Sequence, residues 1–331
     1  VKNPKTKTYK AVKSIKADRK LALSGTPIEN NLTELWALFN LLMPGFLGTE
    51  REFNENFKNP IEKKNDKQAK KLLAKKIKPF ILRRTKESVL KELPPKIEIL
   101  KYTKFKEKQA KLYETVRVSL NKKIRDLLKK QKLEKSYIHI LDALLKLRQI
   151  ACDPRLLNEN KDIKESAKLE LLEDLLEELT KENRKILIFS QFVKMLNIIE
   201  KDILLKKDYK YLKLTGQTRK REEIIRKFKE DENINIFLIS LKAGGLGLNL
   251  TEADTVIIYD PWWNPFTEQQ AIDRAYRIGQ ENKVFVYKLI VENSIEEKIL
   301  KLQEAKKALQ TIYEKDISVF KLSKEDIESL F

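Results

Sequence analysis

The second half of this 331-residue chain predicts an α/β domain built on a parallel sheet with helices on both faces. Short apolar runs there alternate with segments of helical period, and the runs are apolar at consecutive positions, as in strands covered on both faces. Leu169 to Leu179 sets Leu169, Leu172, Leu175, Leu176 and Leu179 on one helical face, and Ile186-Leu187-Ile188-Phe189 follows as a buried strand. Phe192 to Leu205 reads as a helix, Tyr211 to Leu214 as a strand and Lys220 to Lys229 as a helix. Ile234 to Ile239 and Val256 to Tyr259 read as strands, Thr267 to Tyr276 as a helix, Val284 to Val291 as a strand and Ser294 to Leu309 as a helix. In such sheets ligands gather at the loops beyond the carboxyl ends of the strands.

The first half differs. It offers one short strand candidate, Leu21-Ala22-Leu23, then helical, lysine-rich sequence from Asn31 to Leu147, broken at Pro94-Pro95. Residues 103–150 carry helical periodicity and read as a helical insertion with a solvated face, without a sustained heptad.

Composition narrows the function. A single cysteine, Cys152, and a single histidine, His139, exclude a disulfide framework and any Cys/His zinc site. Cys152 reads as a small buried residue, since no histidine is at hand to activate a thiolate. No apolar run approaches the ~20 residues of a membrane span, and residues 1–5 lack the apolar core of a signal peptide. The expectation is a soluble cytoplasmic protein. Its net charge of +20 is uneven: residues 1–165 carry +21 and residues 166–331 carry −1. The 55 lysines against 14 arginines fit a base-composition bias in the gene, but that bias does not explain the asymmetry, which points to a basic surface for phosphates on the first half.

Glycine is scarce, 8 residues, where average usage of ~7% would give roughly 23. Three fall within Ala243-Gly244-Gly245-Leu246-Gly247-Leu248-Asn249, directly after a strand, where backbone N–H groups can form a nest for anionic oxygens; an ordinary turn is the other reading. Gly216 follows a strand in Leu214-Thr215-Gly216, Gly25 lies in Ser24-Gly25-Thr26-Pro27, and Gly45 and Gly48 look structural. Two arginines, Arg274 and Arg277, stand three apart on an expected helix and so share a face. A guanidinium fork suits phosphate oxygens and a transferring phosphoryl group. The alternative is a surface pair bridged to Asp273 or Glu268.

Six ordered blocks together resemble the Swi/Snf-type ATPase family of helicase superfamily two. They are Ser24-Gly25-Thr26-Pro27, Phe80 to Lys86, Ile188-Phe189-Ser190-Gln191-Phe192, Ala243 to Asn249, Asp260-Pro261-Trp262-Trp263-Asn264-Pro265, and Gln270 to Gln280. The resemblance implies two RecA-like lobes that grip duplex DNA and move along it using ATP, with ATP and Mg²⁺ as cofactors. It implies a remnant of the first lobe at residues 1–85, an insertion and linker at 86–165, a complete second lobe at 166–310 and a tail helix at 311–331. Arg274 and Arg277 become the fingers that reach ATP. Ser24, Gly25, Thr26, Gly245, Gly247 and Gln270 become ATP-binding or coupling residues. Gln191, Thr215, Gly216, Ser240, Lys242 and Asn249 line the DNA groove, where phosphate contacts position a duplex without reading its sequence. A helix-starting polar residue is the bland reading of Gln191, a solvated lysine that of Lys242, and core packing that of Trp262 and Trp263. Two positions depart from the family pattern: Tyr276 stands where His is common, and Asp153 where many relatives carry His before Pro.

A P-loop needs Gly-Lys, and no Gly-Lys dipeptide occurs in these 331 residues; an Asp-Glu-x-His acidic box is also absent. The expectation is that the chain starts inside the first lobe, ends complete at Phe331, and does not hydrolyse ATP alone. The function expected is the C-terminal portion of an ATP-dependent double-stranded DNA translocase. The competing readings are a non-catalytic DNA- or protein-binding module of that origin and a strand-separating helicase. Partners expected are duplex DNA and RNA polymerase or another nucleoprotein complex, for a monomer of bacterial, nucleoid-associated type with no membrane contact and no protein-ligated metal.

Overall fold

A computed structural model describes residues 3–23, 32–64, 66–82, 93–130, 133–157, 162–244, 248–262 and 265–312. The chain divides into two compact units, Val1–Val89 with Lys306–Ser323, and Leu90–Ala305 with Lys324–Phe331.

The first unit is helical where described, with α1 (Lys7–Ser14), α2 (Leu32–Leu42), α3 (Glu50–Phe53), α4 (Asn59–Lys64) and α5 (Lys67–Ile77). Its core gathers Tyr9, Leu35, Trp36, Phe39, Phe53, Leu73 and Ile77. Trp36 donates its indole N–H to the Gly48 carbonyl at 3.1 Å. Gly48 has φ +78, and a Cβ there would lie 2.8 Å from Glu52 Oε2, the oxygen that accepts from the Thr49 N–H in the capping box opening α3. Only glycine meets both demands. The expected strand Leu21–Leu23 does not form: Leu21 and Leu23 are exposed on an irregular segment, and a three-residue run finds no strand partner among the described residues. Ser24, Gly25 and Thr26 lie outside the described residues.

The second unit opens with β1 (Lys96–Thr103), α6 (Glu107–Lys130), α7 (Leu133–Cys152) and α8 (Ala167–Lys181). It continues through β2 (Ile186–Ser190), α9 (Val193–Ile199), β3 (Tyr211–Leu214), α10 (Arg221–Glu230), β4 (Ile236–Ser240), α11 (Leu241–Gly244), β5 (Thr255–Ile258), α12 (Pro265–Ile272), β6 (Val284–Val291) and the part of α13 (Ile295–Ile312) up to Ala305. The strands form one parallel sheet in the order β1-β6-β5-β2-β4-β3. Because side chains alternate across a strand, each buried run supplies two cores. Leu187, Phe189, Phe237, Ile239, Val256 and Ile258 meet Phe228 of α10 and Ile272 of α12. Ile186, Ile188, Ile236, Leu238 and Ile257 meet Leu172 and Leu176 of α8 and Leu196 and Ile199 of α9. The expected parallel sheet with helices on both faces is present.

One strand was not foreseen. Lys96–Thr103, expected within a helical insertion, pairs with β6 along its whole length, from Lys96 opposite Val284 to Thr103 opposite Val291. The compact unit that holds the sheet therefore includes β1 and begins at Leu90. As an edge strand, β1 keeps Lys96, Glu98 and Lys101 with partial or full exposure, so its sequence lacks the continuous apolar run that marked the others. The helices at 103–150 were foreseen. Gln109 on α6 ties them together, donating to the Ile150 carbonyl at 2.8 Å and accepting from the Ala167 N–H at 3.1 Å. The Tyr113 hydroxyl accepts from the Ile295 N–H at 2.7 Å. Among the described residues no helix is long and apolar enough to cross a membrane.

Charge fastens the edge strand. Lys288 of β6 is buried between Glu98 of β1 at 3.4 Å and Glu268 of α12 at 3.1 Å, and Lys96 bonds Glu98 at 2.8 Å. Burial raises the Glu98 carboxyl pKa, but Lys96 and Lys288 outweigh it and hold it down at about 2. A depressed carboxylate contributes stability above its unfolded pKa, near 4.5, and loses it as pH falls toward 2. Glu98→Gln is therefore expected to lower stability at pH 7 by about 1 kcal/mol, a value limited by its partial exposure. In urea unfolding curves the gap between wild type and variant should close between about pH 4.5 and pH 2; a gap constant with pH would remove the ion-pair account.

Candidate functional site at the sheet's carboxyl edge

The sheet order places a crevice. From β2 the chain crosses to β3, two positions away on one side, whereas from neighbouring β5 it crosses to β6 on the other. Adjacent strands whose connections depart in opposite directions leave a cleft beyond their carboxyl ends. The carboxyl ends of β3, β4, β2 and β5 stand side by side there, so Thr215, Gly216, Ser240 and Gln191, far apart in sequence, reach one edge together with Asp260.

At the β2/β5 mouth, the fully buried Arg148 of α7 reaches across both loops. Its Nη1 donates to Gln191 Oε1 at 3.1 Å, its Nη2 donates to the Pro261 carbonyl at 2.8 Å, and the Asp260 carboxylate lies 3.6 Å away. The guanidinium sits 4.5 Å from the Trp262 ring centroid and 5.7 Å from that of Phe192, within cation–π range. Asp260 accepts from the Gln191 N–H at 3.1 Å. Burial pushes the Asp260 carboxyl up to about 6 even though Arg148, Ser190 and Lys168 favour its charged form. Beyond it, Glu268 accepts from the Trp262 N–H at 2.7 Å, and Gln303 of α13 donates to the Trp262 carbonyl. Lys168, buried on α8, donates to the Tyr259 carbonyl at 2.7 Å and to Glu296 at 2.5 Å. Trp262 thus packs half-buried against a cation, and Trp263 lies outside the described residues.

The remaining groups sit on the neighbouring loops. Thr215 is buried and closes a turn: its N–H donates to Thr218 Oγ1 at 2.9 Å, and its Oγ1 accepts from the Gln217 N–H at 3.3 Å. Gly216 is exposed with open space where a Cβ would be. Ser240 Oγ accepts from the Ala243 N–H at 3.4 Å, starting the helical turn that carries Lys242, whose side chain lies outside the description. Asn249 is exposed. Gly245 and Gly247, with the expected nest between them, also fall outside the described residues.

The arginine pair is not on a helix. α12 ends at Ile272, and residues 273–279 form consecutive tight turns, with Tyr276 N–H donating to the Ile272 carbonyl at 3.0 Å and Arg277 N–H to the Ala275 carbonyl at 3.1 Å. Gln280 accounts for the departure. Its side-chain amide places two N–H donors among the carbonyls of Thr251 at 3.0 Å, Ala253 at 2.8 Å and Ala275 at 3.1 Å, one N–H being shared by two of them, and Gly279 takes φ +94 to let the chain turn into that position. The turn is also held by the Leu250 N–H, which donates to the Arg274 carbonyl at 2.9 Å. Arg274 is half-buried and its Nε meets no acceptor; burial lowers its pKa against the opposing pull of Asp273, and Arg277 repels it further. Arg277 is exposed, and Gln270 is half-buried one helical turn before Arg274. The alternative bridge to Glu268 is excluded, because Glu268 is buried and bonded to Trp262, Lys288 and Gln303.

Sequence motifs alone do not single out Arg148 or Gln280. A signal existed for Arg148: in a chain with 55 lysines and 14 arginines, an arginine marks a place where the planar fork is needed. Arg155 obeys the same rule, chelated by Asp153 at 2.8 Å and paired with Asp202 at 2.5 Å. Asp153, which also accepts from the Arg155 N–H at 2.9 Å, thereby has a local role at the position that departs from the family pattern. Cys152 is buried as expected, and burial pushes its thiol up, away from the reactive thiolate.

Comparison with known proteins identifies the chain's relatives. The SNF2-related domain family matches residues 1–156 and the helicase conserved C-terminal domain family matches residues 167–279. An uncharacterized ATP-dependent helicase of Mycoplasma genitalium is 40% identical over 336 residues, covering 100% of this chain and 31% of that protein. The TATA-binding protein-associated factor MOT1 of Saccharomyces cerevisiae is 38% identical over 92% of this chain and 19% of its own length. The Sulfolobus solfataricus SWI2/SNF2 ATPase core in complex with dsDNA superimposes with a TM-score of 0.59 at 38% identity, covering 100% of this chain and 70% of that one. The chain spans about a third or less of the length of these two sequence relatives.

Gln280→Ala is expected to destabilise the second unit by about 1–3 kcal/mol, since three carbonyls lose a shared donor, read as a lower urea midpoint. Gln280→Glu should cost more, because a carboxylate would then face those carbonyls. Variants of wild-type stability would mean that the turn is held by other contacts.

Proposed function

Since the chain belongs to the SNF2 family of ATP-dependent helicases, we propose that it is the duplex-gripping and ATP-answering portion of a double-stranded DNA translocase. The observation that carries this reading is the assembly of Gln191, Thr215, Gly216 and Ser240 at the carboxyl ends of adjacent strands. Hydroxyls, a side-chain amide and an exposed glycine backbone are groups that contact phosphates without reading bases. Lys242 and Asn249 extend this surface, and the similarity to a core solved with dsDNA supports it.

ATP and Mg²⁺ belong to the complete protein. ATP supplies the phosphoryl transfer that drives movement. Of this chain's residues, Arg274 and Arg277 have the donor chemistry for phosphoryl oxygens; Arg274 keeps an unsatisfied Nε, and Arg277 is free in solvent to reach out. Ser24, Gly25, Thr26, Gly245, Gly247 and Gln270 couple nucleotide state to the grip. The chain carries no Gly-Lys dipeptide and hence no P-loop, so hydrolysis requires residues beyond these 331. Displacement of a protein bound to DNA, RNA polymerase or another nucleoprotein component, is the task this motor would serve.

Duplex affinity of the chain should fall steeply with salt and vary little with sequence; a flat salt response would end the phosphate-contact reading. The chain by itself should show no DNA-stimulated ATP turnover, and turnover above a heat-killed control would place a phosphate cradle within it. In the complete protein, Arg277→Ala should cut turnover by about 10³-fold or more with duplex affinity unchanged, and full turnover would remove Arg277 from the reaction.

A further inference from the structure

Arg148 is 43 residues from Gln191 and 113 from Pro261 in sequence, yet it bonds both. If it served only to neutralise Asp260, the carboxylate should be its nearest partner. Instead hydrogen bonds of 2.8 Å and 3.1 Å go to the neutral oxygens of Pro261 and Gln191, and Asp260 stands back at 3.6 Å. The fork spans the loop after β2 and the loop after β5, and its face is covered by Trp262 and Phe192, one ring from each loop. A lysine ammonium could not hold both acceptors in one plane while stacking on a ring.

We propose that Arg148 is a positioning residue for the duplex-binding edge, setting the Gln191 side chain and the Asp260–Trp262 backbone beside each other from helix α7. The inference rests on the assignment of Gln191 to duplex contact. A guanidinium has donors only, so the atom of Gln191 facing it is the carbonyl oxygen. Once Oε1 is held, the two Nε2 donors are left for an acceptor outside the pair, which is what a phosphate oxygen requires. Asp260 contributes from the other side by accepting the Gln191 backbone N–H at 3.1 Å. Residue 191 is thus clamped at main chain and side chain by two buried charges.

The test compares Arg148→Lys, Arg148→Met and Arg148→Met/Asp260→Asn with Gln191→Ala. Arg148→Met leaves a buried carboxylate unpaired, and its loss of stability is uninformative about positioning. The double variant removes both charges, so it should melt close to wild type while Gln191 loses its donor. In ¹⁵N-labelled protein, the Gln191 side-chain amide resonances, assigned by their disappearance in Gln191→Ala, should move to free-glutamine positions in the double variant and in Arg148→Lys. Duplex affinity should fall about three- to tenfold in both, matching Gln191→Ala, as expected for one lost hydrogen bond. A folded double variant that keeps wild-type Gln191 resonances and affinity overturns the proposal. If the double variant does not fold, Arg148→Lys decides by the same two readings. If the wild-type chain binds no duplex, the DNA reading fails separately, and the Gln191 resonances still decide whether Arg148 positions it.

Discussion

Arg148 is enclosed by protein, so its charge must be answered inside the fold, and the groups that answer it come from two loops at the mouth of the sheet. A buried cation left without partners costs about 3–5 kcal/mol, a large fraction of a domain's stability. Helix α7 therefore cannot dock without Asp260, Pro261 and Gln191 in place, and those loops cannot settle without α7. The same logic repeats nearby in Lys168 with Glu296 and in Lys288 with Glu268 and Glu98. Three buried cations from α7, α8 and β6 thus link the early helices and the edge strand to the sheet's carboxyl edge. Such pairs contribute little net stability against an apolar equivalent, but they penalise any other arrangement of the chain.

This arrangement changes the meaning of the basic first half. A charge of +21 over residues 1–165 suggested a surface for phosphates. Arg148 is one of those charges and is wholly internal, and Arg155, beside it in sequence, is chelated by two aspartates. Net charge by segment counts such residues together with solvated lysines, although a buried paired guanidinium contributes little to the outward field.

The central strands were legible because burial on both faces favours apolar side chains, so each appears as a short, mainly apolar run between helical patterns, with Lys288 of β6 admitted by its pairing with Glu98 and Glu268. β1 escaped because it sits at the edge, where Lys96, Glu98 and Lys101 are accommodated among Ile97, Ile99 and Tyr102. The arginine pair is legible in the sequence, but its backbone is a turn rather than the expected helix. Helical period continues in the sequence as far as Tyr276, and only the three carbonyl bonds of Gln280 show why the helix stops at Ile272. Gly48 could be suspected of a structural role from its scarcity, but its reason, a positive φ against the Glu52 carboxylate, lies in the packing.

The sequence by itself determined the α/β class, the strand and helix order of the second unit and the family, because these depend on local periodicity and on motifs whose residues are near one another in the chain. Tertiary structure alone decided that Lys96–Thr103 joins the sheet, that Arg274 and Arg277 lie on a turn, and that Arg148 meets Gln191 and Asp260. Each of those depends on a hydrogen bond or ion pair between distant residues: the β1–β6 ladder, the Gln280 amide and the Arg148 fork. Pairings of this kind have no signature in a local window, since what selects them is the cost of leaving a polar group buried without its partner.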